Sequence, residues 1–184
     1  KRLGKLTFGK IVDHYARFID TLPEQPIIIG HSMGGLITQL LLDRGYGVAA
    51  VAMDPGPTAG AFPGLTSLLA ALPPVLSGPS TPHLISRAYD AYVVPTSSRI
   101  FYQAAAMIGT GANAKARKQP LLVLSAEHDR TVSPFLARQV YNLQKKAPSR
   151  TDFHEFAGRD HFLAGAKGWE EVAQYTLDWA AKAA

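Results

Sequence analysis

The sequence predicts an α/β fold in which a parallel sheet is flanked by helices. Residues 26–29, 48–53 and 120–126 are short apolar runs, which suit strands buried on both faces of a parallel sheet. Residues 36–42, between the first two runs, are typical of a buried helix. A strand, helix, strand order places two strands side by side and parallel. We expect about four strands, with the last one, alternating in polarity, at residues 151–156.

Further helices complete this pattern. Apolar residues recur at helical spacing over residues 8–21, and Pro23 ends the stretch. A helix over residues 99–108 precedes the third strand, and a Ser-Pro pair starts another over residues 133–146. The closing helix is marked by core-type residues three or four positions apart, which are Trp169, Val172, Thr176 and Trp179.

The composition suits one globular domain over residues 1–184. Of these residues, 47% are hydrophobic and 18% are charged, which is ordinary for a chain with its own core. No run of about 18 apolar residues occurs, and the basic residues 1–5 lead into no apolar signal core. We therefore expect a soluble protein without a transmembrane segment or a signal peptide in this chain. Its compartment stays open.

The net charge of +5 does not indicate a nucleic-acid partner. Lysines and arginines are denser in residues 1–10, 115–118 and 145–146, but no aromatic side chains interleave with them. We interpret these stretches as solvated faces and expect no nucleic-acid binding. The chain has no cysteine, which excludes disulfides, a thiol nucleophile and thiolate metal sites.

The sequence around Ser32 predicts a sharp turn between a strand and a helix. Gly30-His31-Ser32-Met33-Gly34 has the pattern G-x-S-x-G and lies between the first apolar run and the buried helix. A serine at the apex of such a turn requires small residues two positions before and after it, where we expect the backbones to crowd. The helix start also aims N–H groups at the space above the serine hydroxyl.

This arrangement resembles the nucleophile elbow of the α/β-hydrolase superfamily, and the chain resembles the C-terminal part of that superfamily's usual domain. The resemblance implies a catalytic triad in the chain order Ser, acid, His. Asp129 and His161 match the acid and the histidine, since Asp129 to Val132 and residues 158–161 resemble the family's D-x-x-V and G-x-x-H loops. It also implies that the Met33 N–H stabilises an oxyanion.

Four neighbouring side chains are alternatives to this assignment. Asp54 follows the second strand, where some members of the superfamily carry the acid, or it forms a turn before Pro55. His31 adjoins the serine, but we expect it to pack or to hydrogen-bond locally. His128 and Asp160 are each one position away from the chosen residues.

No cofactor site is predicted. The histidines lack the His-Glu-x-x-His spacing of a zinc site, and the glycines of residues 30–35 are not spaced for a pyrophosphate. We therefore expect hydrolytic chemistry without a metal or a cofactor.

Two further expectations follow from the resemblance. Residues 56–98, rich in proline and glycine, correspond in position to a cap or lid insertion, with a surface loop as the alternative. Only a helix precedes the elbow strand, so we expect the N-terminal strands of the usual fold to be absent. The open edge of residues 27–29 would then pair with a second copy, giving a homodimer, or with an N-terminal partner fragment.

The sequence predicts a serine hydrolase that cleaves carboxylic esters through Ser32, His161 and Asp129, with a small-molecule ester as substrate. A thioesterase or an acyltransferase would use the same three residues. A different class of function is a weakly active or non-enzymatic fragment that binds a partner through the open sheet edge.

Overall fold

A computed structural model describes residues 5–62 and 98–183. Its four strands form one parallel sheet in the order β1-β2-β3-β4, so the predicted fold class is confirmed for the described part of the chain. The strands are β1 (Ile27–His31), β2 (Ala49–Met53), β3 (Leu121–Ala126) and β4 (Thr151–Phe156). The helices are α1 (Phe8–Ile19), α2 (Met33–Asp43), α3 (Ser98–Ala105), α4 (Pro134–Gln144) and α5 (Trp169–Ala183).

The two central strands carry the core. Every residue of β2 and β3 is buried, because helices cover both faces of the sheet. One face packs against α5, through residues that include Val51, Leu122 and Trp179. On the other face, Ala50 and Val123 pack with Leu42 of α2. Helix α1 lies further out and packs on α2.

The helix ends follow local chemistry. The Thr7 hydroxyl accepts the Lys10 N–H at 3.3 Å and caps α1, and Ser133 accepts the Leu136 N–H at 3.4 Å and caps α4. Helix α3 ends at Ala105, three residues earlier than predicted, because Met107 has a positive φ of 55° and leaves the helical conformation.

Arg117 corrects one expectation. The stretch at residues 115–118 was expected to be a solvated face, yet Arg117 is only 1% exposed. Its guanidinium donates to the Gln144 carbonyl oxygen at 2.9 Å, to the Ser149 hydroxyl at 3.0 Å and to the Thr151 hydroxyl. A buried arginine is tolerated here because its donors find acceptors at the amino ends of β3 and β4.

Strand β1 lies at one edge of the described sheet, and its Ile29 is 49% exposed. That this edge pairs with a second copy or an N-terminal fragment stays a prediction, which sedimentation at several concentrations would test. Most of the expected cap, residues 63–97, lies outside the described residues, so the cap and the domain division also stay predictions. No helix among the described residues is long and apolar enough to cross a membrane.

Candidate active site

The predicted residues all lie at the end of the sheet that is formed by the carboxyl ends of the four strands. Ser32 follows β1, Asp54 follows β2, Asp129 lies on the loop after β3, and His161 lies on the loop after β4. Because all four strands are parallel, these loops lie on the same side of the sheet although they are far apart in sequence.

Ser32 lies at the apex of a strained turn. Its backbone has φ 55° and ψ −118°, a conformation that residues other than glycine rarely adopt. Four backbone hydrogen bonds hold it there: its N–H donates to the Met53 carbonyl at 2.9 Å, and its carbonyl accepts the N–H groups of Gly35 at 2.9 Å, Leu36 at 3.3 Å and Gly56 at 2.8 Å. The strain is therefore supported from both β2 and α2.

The crowding at this turn falls partly on other glycines than expected. A Cβ at Gly30 would lie 2.3 Å from the Gly34 carbonyl oxygen, which confirms the need for glycine there. A Cβ at Gly34 would meet no described atom within 4 Å, the backbone of its own helix aside, so that expectation was wrong. The second crowded position is Gly35, whose Cβ would lie 2.9 Å from the Cα of Pro55. The doubled glycine is the only sequence signal for it.

Ser32, His161 and Asp129 form a continuous chain of hydrogen bonds. His161 Nε2 lies 3.0 Å from Ser32 Oγ, and His161 Nδ1 lies 2.6 Å from Asp129 Oδ2. The other Asp129 oxygen accepts the N–H groups of Thr131 at 2.7 Å and Val132 at 2.8 Å. This accounts for the D-x-x-V spacing, since Val132 is buried in the core and offers its N–H to the carboxylate. Such donors fix the orientation of the Asp129 carboxylate.

The loops that carry the acid and the histidine are tied together. The Glu127 carboxylate accepts the Gly158 N–H at 2.7 Å, and the His128 N–H donates to the Arg159 carbonyl at 2.7 Å. These bonds give a structural role to two residues that precede Asp129. Glu127 ties the acid loop to the histidine loop through its side chain, whereas His128 does so through its backbone. Neither side chain enters the hydrogen-bond chain described above.

Asp54 lies behind the acid. It is fully buried and has a positive φ of 40°, and its Oδ1 accepts the Ala126 N–H at 2.9 Å while Oδ2 has no partner among the described residues. Burial, and after it the negative charge of Asp129, raises the pKa of Asp54 to about 8. Near neutral pH, the Asp54 carboxyl is therefore largely protonated.

His31 and Asp160 also have defined partners. His31 Nε2 lies 2.6 Å from the carbonyl oxygen of His161, so its bond is to a distant part of the chain and not local as expected. Burial lowers the pKa of His31. Asp160 accepts the Phe162 N–H at 3.0 Å, which orders the turn beside His161 without contacting Ser32. Sequence reasoning gave no signal for the contact between His31 and His161.

One group of side chains at this edge has the composition of a cation site. His31, Asp54 and His161 each place a potential ligand atom within 4.8 Å of the other two. Both ring nitrogens of His161 are already hydrogen-bonded, to Ser32 and Asp129, and His31 Nε2 contacts a carbonyl oxygen. His161 therefore offers no ring nitrogen that is free of a hydrogen bond.

Met33 is the first residue of α2. The first N–H groups of a helix have no acceptor within the helix, and the positive end of the helix dipole lies beside them. That the Met33 N–H stabilises an oxyanion above Ser32 stays a prediction.

Comparison with protein families gives an independent result. A family model described as "Alpha/beta hydrolase family" matches residues 3–175. No curated protein matches the chain in sequence.

Solved structures are similar in fold. A monoacylglycerol lipase from Paleococcus ferrophilus has a TM-score of 0.71 at 20% identity, with 98% of this chain and 77% of that chain covered. A putative non-heme bromoperoxidase from Mycobacterium tuberculosis also has a TM-score of 0.71, at 19% identity, with 98% and 76% covered. An enol-lactonase from Burkholderia xenovorans has a TM-score of 0.65 at 18% identity, with 97% and 74% covered.

Proposed function

Because the chain belongs to the alpha/beta hydrolase family, we propose that it is a serine hydrolase that cleaves carboxylic esters through an acyl-enzyme. The observation that carries the proposal is the unbroken chain of hydrogen bonds from Ser32 Oγ through His161 to Asp129. In this proposal Ser32 is the nucleophile, His161 the general base and Asp129 the group that orients the histidine.

Acylation begins with proton transfer. His161 Nε2 takes the hydroxyl proton as Ser32 Oγ attacks the ester carbon, forming a tetrahedral intermediate and an imidazolium. Asp129 accepts the Nδ1–H, which fixes the tautomer and stabilises the imidazolium charge. The two backbone donors on its other oxygen keep the carboxylate in place. The Met33 N–H donates to the oxyanion.

The tetrahedral intermediate then collapses to an acyl-enzyme, which water hydrolyses in a second step. The C–O bond to the alcohol breaks, and the leaving oxygen takes the proton from His161 Nε2. His161 next removes a proton from water, whose oxygen attacks the acyl carbon, and it returns that proton to Ser32 Oγ as the carboxylic acid leaves. The histidine is thus base and acid in turn, and the net reaction is ester plus water giving acid plus alcohol.

An ester substrate is favoured over other acyl compounds by analogy. Two of the similar structures, a monoacylglycerol lipase and an enol-lactonase, are named for substrates with ester bonds, one of them cyclic. A thioester or an acyl transfer to an acceptor other than water needs the same three side chains. A substrate panel that includes thioesters therefore tests the bond class separately from the triad.

The experiment that tests the proposal removes the hydroxyl of Ser32. We expect Ser32→Ala to lower kcat/KM for a p-nitrophenyl ester by about 10⁴-fold or more and to abolish labelling by a fluorophosphonate. Ser125→Ala is the matched control, since its hydroxyl lies in β3, is buried and has no partner among the described residues. Labelling or burst kinetics retained in Ser32→Ala would remove Ser32 from the mechanism.

A further inference from the structure

His31 is a half-buried titratable side chain that the proposed mechanism does not use. It is the last residue of β1 and directly precedes Ser32. Its side chain reaches the loop after β4, where Nε2 lies 2.6 Å from the carbonyl oxygen of His161. The rings of the two histidines also pack together, with centroids 4.7 Å apart at an interplanar angle of 47°.

The chemistry of this contact defines the proton on His31. A carbonyl oxygen only accepts hydrogen bonds, so Nε2 must carry a hydrogen and donate it. Burial, the largest influence, lowers the pKa of His31 and favours the neutral ring, while the bond to the carbonyl acts in the opposite direction. The neutral Nε2–H tautomer satisfies both. The titratable groups around this ring are Asp54, Asp129 and His161.

The contact supplies something that the other loop bonds do not. Gly158 and Arg159 are held by the acid loop, and Phe162 by Asp160, so these bonds lie on either side of His161. The bond from His31 reaches the His161 residue itself. Two consecutive residues therefore hydrogen-bond different parts of His161: Ser32 bonds its ring, and His31 bonds its backbone carbonyl.

We propose that His31 is a positioning residue whose Nε2–H holds the His161 carbonyl and thereby fixes the backbone from which the imidazole reaches Ser32. This inference rests on the proposed function, in which His161 is the general base. A displacement of about 1 Å between reacting groups can cost about 10²-fold in rate, so a bond that fixes the histidine backbone matters for kcat. Substrate binding does not involve this bond, so KM should change little.

Two variants at His31 distinguish a role as hydrogen-bond donor from a role as an aromatic ring that only fills space. His31→Phe keeps an aromatic ring but has no N–H, and we expect kcat to fall by about 10- to 100-fold with KM within about twofold. His31→Gln can place an amide N–H near the position of Nε2, and we expect it to recover most of that loss. His14→Phe, which changes an exposed histidine on α1, is the matched control and should leave kcat unchanged.

A second measurement does not depend on activity. In a Ser32→Ala background, backbone hydrogen exchange over residues 158–165 should become faster in His31→Phe and return toward the parent rate in His31→Gln. If Ser32→Ala itself kept full hydrolysis, the proposed function would fail while this exchange would still report on the contact. Unchanged exchange in His31→Phe, or a His31→Gln variant as impaired as His31→Phe, would overturn the positioning role.

Discussion

The two ends of the sheet bury polar side chains in opposite ways. At the amino ends of β3 and β4, Arg117 donates to several neutral acceptors, and Gln144 continues the network to Gln39 of α2 at 3.0 Å. Burial lowers the pKa of Arg117 to about 10, which still leaves it charged at neutral pH. At the carboxyl ends, one oxygen of Asp54 has no partner within residues 5–62 and 98–183, and both Asp54 and Ser32 have positive φ.

This difference indicates that the amino end of the sheet contributes to stability and the carboxyl end to the chemistry. A buried network in which every donor finds an acceptor fixes the fold and has no capacity left for a ligand. Strain and unpaired polar atoms cost free energy and persist where the surrounding structure holds them in place, which is typical of functional sites. We therefore expect variants at the carboxyl end to affect rate and variants at the amino end to affect stability.

The largest effect is expected from the acid. Asparagine at the orienting position presents an amide to the histidine and favours the wrong tautomer, which can cost about 10⁴-fold in kcat. Asp129→Asn should therefore lose about 10⁴-fold in kcat, measured with a p-nitrophenyl ester. Asp54→Asn is the matched comparison and should stay within about tenfold of the parent, since Asp54 does not bond the His161 ring. The reverse ranking would assign the acid to Asp54.

Arg117 tests the other end. Arg117→Met removes the donors and leaves buried acceptors without partners, so we expect a loss of about 3 kcal/mol in the free energy of unfolding. Because Arg117 is far from Ser32 along the strands, kcat/KM of the folded variant should change less than about twofold. Urea unfolding and ester hydrolysis at 25 °C measure the two quantities.

Lys118→Met is the control, since it removes the same charge from the exposed neighbour and should leave stability nearly unchanged. A rate loss in Arg117→Met that exceeds its effect on unfolding would show that the two ends are coupled, and the division between stability and chemistry would fail.

The same contrast explains what the sequence could predict. Ser32 was found because a strand, a G-x-S-x-G turn and a helix are adjacent in the chain, so local chemistry defines them. Asp129 and His161 were assigned from the resemblance to the family's D-x-x-V and G-x-x-H loops, and the meeting of parallel strand ends accounts for their closeness. The partners of Arg117 and His31 could not be predicted, because each contact joins residues distant in sequence and no periodic pattern marks it. The cap and the sheet-edge partner remain predictions.

The smallest expected effect concerns the proton on Asp54. Its pKa is raised from 3.8 to about 8, so between these values the folded protein holds a proton that the unfolded chain has released. Stability from this group is complete below pH 4 and is lost as the pH rises toward 8. Asp54→Asn keeps a neutral side chain at all pH values and removes this dependence.

From pH 6 to pH 7, the free energy of urea unfolding of the parent should therefore fall relative to that of Asp54→Asn by up to about 1.4 kcal/mol, the limit for one proton. Groups that do not interact with Asp54 contribute equally to both proteins, so their contributions cancel in the difference. Parallel stability curves would mean that Asp54 is already ionised at neutral pH and that its pKa is not raised.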